Sequence, residues 1–182
     1  MRFHGITDIG KMRNKNEDII YYPTYEDEEK LFILADGMGG AKAGEVASKL
    51  ALETSKAVFD TNIVNAVDQE DIQGVIRKSI INANKIVMSE SQKINSYKGM
   101  GSTLIMAYAY RNKIYIGHVG DSRVYRIRKN VIRQLTKDHS FAQELLRNGT
   151  ITREEAENHP QRNALTKVIG YERNLEPEAI PP

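Results

Sequence analysis

Apolar residues in this chain change period several times, and the changes mark the elements. Leu31 to Ala35 (LFILA) is a continuous apolar run of strand length. It breaks at Asp36-Gly37 into a loop carrying Gly39, Gly40 and Gly44. From about Ala43 the spacing turns helical, with Val46, Ala47, Leu50, Ala51 and Val58 on one face and an expected end near Asp60. Thr61 to Gln69 reads as a connection. Ile72, Val75, Ile76, Ile80, Ala83 and Val87 then predict a second, long helix from Glu70 or Asp71 to about Tyr97. Both stripes are core.

Upstream, Phe3 to Asp8 alternates loosely, as an early or edge strand would, and a polar, basic loop over Gly10 to Asn16 follows. Glu17-Asp18 leads into a strand at Ile19 to Tyr22, and the acidic stretch Tyr25 to Lys30 reads as a solvated hairpin tip. Beyond the turn at Lys98 to Ser102 the pattern is β-rich. Thr103–Tyr110, Lys113–Val119, Ser122–Arg128 and Val131–Leu135 predict a four-strand meander, with two-residue turns at Arg111-Asn112 and Lys129-Asn130. Asp138-His139-Ser140 can cap a short helix over Phe141 to Asn148, closed by Gly149. Thr152-Arg153-Glu154-Glu155 is a capping-box start for another. Separate runs of helices and strands predict an α+β fold with antiparallel sheets, and small polar helices after a sheet are the material of a flap.

Composition narrows the chemistry. With 182 residues, 40% hydrophobic and 27% charged, the chain reads as one soluble domain with a real core. A net charge of +2 without a basic block gives no footprint for nucleic acid or a membrane surface. No secretory signal or span-length apolar run is visible, so a cytoplasmic location is expected. Cysteine is absent, which removes disulfides, thiolate nucleophiles and cysteine-ligated zinc. The carboxylates Glu17, Asp18, Asp36 and Asp121 lie at strand ends beside glycine or polar turns, as an oxygen-ligand site for a hard cation requires. Taken alone, Asp36-Gly37 is better explained by a tight turn, and Arg13 by a solvated loop arginine. Glu17 and Asp18, being adjacent on entry to a strand, point to opposite sides, so only one can face a given pocket directly. His4 and His118 read as strand histidines, His139 as part of a local turn and His159 as flap.

Several stretches, in one order along the chain, resemble the bacterial metal-dependent protein phosphatases of the PPM (type 2C) family. They are Arg13-Asn14-Lys15-Asn16-Glu17-Asp18, Ala35-Asp36-Gly37-Met38-Gly39-Gly40, Gly99-Met100-Gly101-Ser102-Thr103 and Val119-Gly120-Asp121-Ser122-Arg123. Weaker matches are Leu135 to Ser140 and Asn163 to Thr166. The resemblance implies a sandwich of two packed antiparallel β-sheets flanked by helix pairs. It implies hydrolysis of phosphoserine and phosphothreonine by metal-activated water, with two or three Mn2+ or Mg2+ ions. Asp36 would bridge two ions, the Gly37 carbonyl would join one, Asp18 and Glu17 would hold the second largely through water, and Asp121 would serve a third. Arg13 would bind the substrate phosphate. Phosphoproteins are the implied substrates, with a Ser/Thr protein kinase as physiological opponent, and residues 139–163 match the family's flap within a single, incomplete domain over 1–182 whose C-terminal strands are missing.

Two departures stand out. Met38 occupies the place of a histidine proposed as general acid in eukaryotic members, and methionine cannot donate a proton. The family's later Asp-Gly and Asp-Asn pairs, which complete the metal site, have no counterpart after Gly170, so the chain is expected to be the N-terminal portion of a longer catalytic domain. The competing expectation is a catalytically silent phosphatase-fold module that binds a phosphoprotein or partner protein. No residue excludes a small-molecule phosphatase.

Overall fold

Alternation along one strand sets the architecture. In the computed structural model, which describes residues 2–24, 30–39, 43–180 and 182, strand β2 spans Lys30–Met38. Leu31, Ile33 and Ala35 point into the core, while Phe32, Leu34 and Asp36 point to the opposite, more open face. β2 pairs antiparallel with β1 (Asp18–Tyr21) on one side and β4 (Leu104–Tyr110) on the other. β5 (Lys113–Val119) and β8 (Glu178–Ile180) complete the order β1-β2-β4-β5-β8, and the short β3 (Gly101–Ser102) pairs with the end of β2.

One face of this sheet is covered by two antiparallel-packed helices, α1 (Ala43–Ile63) and α2 (Gln69–Lys93). α1 buries Ala43, Ala47, Ala51, Ser55, Phe59 and Ile63, a four-residue repeat of mostly small side chains that lets the helix lie close to its neighbours. It runs past Asp60 because Ile63, one turn beyond Phe59, is buried too. α2 starts at Gln69 because the Asp68 carboxylate accepts from the Asp71 N–H, and it stops at Lys93 where Ile94 turns extended. A single 3-10 turn at Asn95–Tyr97 replaces the expected last helical turn. Buried Asn84 on α2 holds the 170–172 segment through Gly170 N–H (2.7 Å) and Glu172 C=O (2.6 Å).

Both two-residue turns form as expected. Arg111 and Asn112 (φ 47° and 62°) and Lys129 and Asn130 (φ 50° and 61°) take the left-handed conformation that matches strand twist in tight hairpins. The four strands do not form one meander. β4 and β5 lie in the main sheet, whereas β6 (Tyr125–Arg128) and β7 (Val131–Gln134) form a separate two-stranded sheet. The break falls at Gly120, whose φ of +106° turns the chain out of the ladder. An apolar cleft of about 420 Å³ lies between β6 and the open face of the main sheet, lined by Ile20, Tyr22, Phe32, Leu34, Ile105 and Tyr125. The expected strand over Phe3–Asp8 is not formed; Phe3 instead packs its ring on Phe32 (5.6 Å) and Tyr22 (6.1 Å). The α+β class and antiparallel pairing hold throughout.

The two short helices, α3 (Phe141–Arg147) and α4 (Arg153–Glu157), follow β7 and pack together. α4 has the expected capping box between Thr152 and Glu155. The acidic tip at 25–29 and residues 40–42 of the glycine loop lie outside the described residues. Among the described residues no helix is long and apolar enough to cross a membrane.

Phe59 is fully buried and meets Tyr108 edge-on at 5.0 Å, joining α1 to β4. Phe59→Ala is expected to lower unfolding stability by about 3–5 kcal/mol in urea denaturation. A loss under about 1 kcal/mol would mean the helix layer is not packed as described.

Candidate metal and phosphate site

The register of β1 on β2 makes Asp18 and Asp36 direct cross-strand partners, so their side chains leave the sheet on the same face. Water is partly stripped from Asp36, the charge and hydrogen bonding of Asp18 add to that, and Asp121 contributes further; together they push the Asp36 carboxyl up to about 6 from an ordinary 3.8. Arg13 works against the shift. A cation bound there would compete with the proton that this raised value favours. Crowded oxygen donors with one nearby arginine fit a hard divalent cation in both charge and donor type.

Asp36, Asp18 and Arg13 line a cleft of about 380 Å³ with Asp8, Asn16 and Lys15. Glu17, which precedes β1, lines the same cleft as Asp18. Its carboxylate packs against the start of α1, where a Cβ on Gly44 would lie 2.6 Å from Glu17 Oε1. A Cβ on Gly37 would come within 2.1 Å of the Gly44 carbonyl oxygen, so only glycine lets α1 approach the end of β2. The Gly37 N–H donates to the Glu17 C=O (3.1 Å). Arg13 Nη1 lies 3.6 Å from Glu17 Oε2, its side chain 70% exposed.

Several positioning residues carry no signal by charge. The Asp36 N–H donates to Thr103 Oγ1 (3.1 Å), and the Asp36 C=O accepts from Thr103 N–H (2.9 Å) and Ser102 Oγ (3.0 Å). Thr103 Oγ1 is also 2.8 Å from Ser122 Oγ, which ties the Asp121 turn to the Asp36 strand. Asn16 Oδ1 accepts from the Asp18 N–H (3.0 Å) and its Nδ2 donates to Thr7 Oγ1 (2.7 Å). The only hint in the sequence is that these polar residues sit inside the stretches that resemble the family. Met38 is half-buried opposite Gly101 and offers no proton.

Asp121 lines a second, polar cleft of about 530 Å³ beside α3 and α4, with Arg123, Ser140, Gln143, Glu157 and Arg162. Asp138 does not cap α3. Its carboxylate accepts from Arg123 Nε (2.9 and 3.0 Å), Arg123 Nη2 (2.5 Å) and Gln134 Nε2 (3.1 Å), because the bidentate guanidinium is a better partner than a helix N–H. Ser140 stands at the N-cap without a side-chain cap bond. His118 sits buried in β5, and His159, in the flap, accepts from the Gln161 N–H at Nδ1.

The folded-state value of Asp36 lies above its unfolded value. Its favourable contribution is therefore complete below about pH 3.8 and is lost as pH rises through about 6. In EDTA, Asp36→Asn is expected to be more stable than the parent at pH 7, by about 1 kcal/mol once solvent screening is allowed for. The difference should vanish near pH 4. Equal stability at both pH values would contradict the crowded-carboxylate picture.

The profile of the Protein phosphatase 2C family matches residues 13–170. A serine/threonine phosphatase, stp, from Listeria monocytogenes is 40% identical over 171 residues, covering 93% of this chain and 67% of that protein. The crystal structure of the serine/threonine phosphatase Stp1 from Staphylococcus aureus superposes with a TM-score of 0.87 at 40% identity, covering 96% of this chain and 68% of that one. The catalytic domain of the phosphatase PstP, crystallised with two manganese ions, gives a TM-score of 0.76 at 32% identity, covering 96% and 68%.

Proposed function

The chain belongs to the protein phosphatase 2C family, and from that premise we propose that it hydrolyses phosphoserine and phosphothreonine in proteins at the Asp18–Asp36 site. The observation that carries this reading is the cross-strand pairing of Asp18 with Asp36, together with the raised Asp36 carboxyl. Asp36, the Gly37 carbonyl, Asp18, Glu17 and Asp121 would hold two or three Mn2+ or Mg2+ ions. Bound ions supply charge that activates water and offsets the negative phosphoryl oxygens.

The chain's own residues set up that chemistry. Asp36 gives up its proton to become a ligand, so cation binding weakens as pH falls below about 6. Ser102 and Thr103 fix the Asp36 backbone from one side, and Asn16 fixes the Asp18 backbone from the other. Arg13, exposed and only loosely paired with Glu17, is free to swing onto a substrate phosphate as a bidentate donor. Residues 139–163 form a flap beside the Asp121 cleft within one phosphatase domain. The substrates would be phosphoproteins in the cytoplasm, with a Ser/Thr protein kinase as opponent. A silent binding module gives no account of why Arg13, Asp18, Asp36 and Asp121 converge.

Hydrolysis of p-nitrophenyl phosphate and of a phosphothreonine peptide should require Mn2+ or Mg2+. Asp36→Asn should lower it about a hundredfold or more, the scale of removing one preorganised electrostatic element. Metal-independent turnover, or turnover unchanged in Asp36→Asn, would overturn the proposal.

A further inference from the structure

Outside the carboxylate cluster, two buried histidines and a glutamate meet on the open face of the sheet. His118 and Glu178 are cross-strand partners on β5 and β8, and the His139 ring stacks on His118 with centroids 4.5 Å apart. His139 Nε2 lies 3.4 Å from Glu178 Oε2 and His118 Nδ1 lies 3.8 Å from it. Three such ligand atoms within 4.8 Å suggest a cation, but hydrogen bonding argues otherwise. A backbone N–H can only donate. The Gly120 N–H donates to His139 Nδ1 (3.1 Å), so in the neutral ring Nε2 carries the proton and has no lone pair for a metal. Burial above all, with the neighbouring His118 second, holds His139 down at about 3, so the ring stays neutral near pH 7. His118 Nε2 donates to the Lys137 carbonyl (3.1 Å), leaving its Nδ1 lone pair buried without a partner. That leaves two donors, fewer than a protein cation site needs.

The hydrogen bonds of His139 instead converge on Gly120. Besides accepting at Nδ1, His139 donates its own backbone N–H to the Gly120 C=O (3.0 Å). Both polar groups of Gly120 are therefore taken by one residue. Gly120 is in the left-handed region, and a Cβ there would lie 2.5 Å from Thr103 Cγ2, so nothing else can stand at this position. The next residue is Asp121. The His139 C=O accepts from Thr166 N–H (2.9 Å), and Ser140 bridges Leu165, so both stems of the 139–163 segment meet at the same point.

We propose that His139 is a positioning residue that sets Asp121 by clamping the Gly120 peptide, and that it joins the flap stems to the metal-facing turn. This rests on the reading of Asp121 as a metal-facing carboxylate. A histidine in this role works through the place of Nδ1, one bond from Cγ. Asparagine puts its Oδ1 in the same place; glutamine puts its amide further out, where Nε2 sits.

The test uses the full 15N-labelled chain and the variants His139→Asn, His139→Gln and Asp121→Asn. Two quantities are followed by NMR: hydrogen exchange of the Gly120 amide, and the Mn2+ concentration that broadens the Ser122 amide. His139→Asn should keep both within about twofold of the parent, whereas His139→Gln should lose Gly120 protection and need about tenfold more Mn2+, as for loss of an outer-shell partner. Asparagine and glutamine variants that behave alike, while Asp121→Asn raises the Mn2+ requirement, would overturn the His139 role alone. An Asp121→Asn variant that broadens like the parent would overturn the reading of Asp121, and the positioning role with it.

Discussion

The antiparallel ladder between β1 and β2 is the constraint on which the site depends. It places Asp18 opposite Asp36 and gives both carboxylates the face away from the helices. A slip of one residue would turn either strand over and carry its carboxylate into the apolar helix layer. The burial of Leu31, Ile33 and Ala35 against α1 forbids that slip, so the core that stabilises the fold also holds two negative charges together. The resulting repulsion is tolerable because the open face gives the charges water, Arg13 and, when bound, cations.

Around that ladder, polar side chains replace regular strand pairing where the backbone has to bend. Thr103 bonds the Asp36 N–H and reaches Ser122, and His139 takes both polar groups of Gly120. Asp121 thereby sits on a turn tied to the Asp36 strand on one side and to the flap stems on the other. The close seat of α1 depends on Gly37 and Gly44, where side chains would collide with backbone or with Glu17.

What could be read from the sequence was local in origin. Helical and strand periods located β2, α1 and α2, and Asn at the second turn position marked both hairpins, because these depend on a few neighbouring residues. The candidate carboxylates and Arg13 were legible by type and by their place at strand ends. The rest depended on contacts distant in sequence. Phe3 to Asp8 alternates like a strand but has aromatic contacts in place of a ladder, and the meander divides where Gly120 turns out of the sheet. Asp138 has the sequence position of a cap, but Arg123, fifteen positions away, offers it a two-pronged partner. Asn16, Ser102 and Thr103 act through hydrogen bonds to the backbones of the acidic residues, and His139 through the peptide before Asp121, which no pattern of hydrophobic or charged positions reveals.

The most direct measurement is calorimetric titration of the metal-free chain with Mn2+ at pH 6, in two buffers of different ionisation enthalpy, beside Asp36→Asn. With the Asp36 carboxyl near 6, binding should release about half a proton, and the variant should bind far more weakly with no such release. Mn2+ binding that releases no proton and is the same in the variant would contradict the claim that the Asp18–Asp36 pair is the cation site.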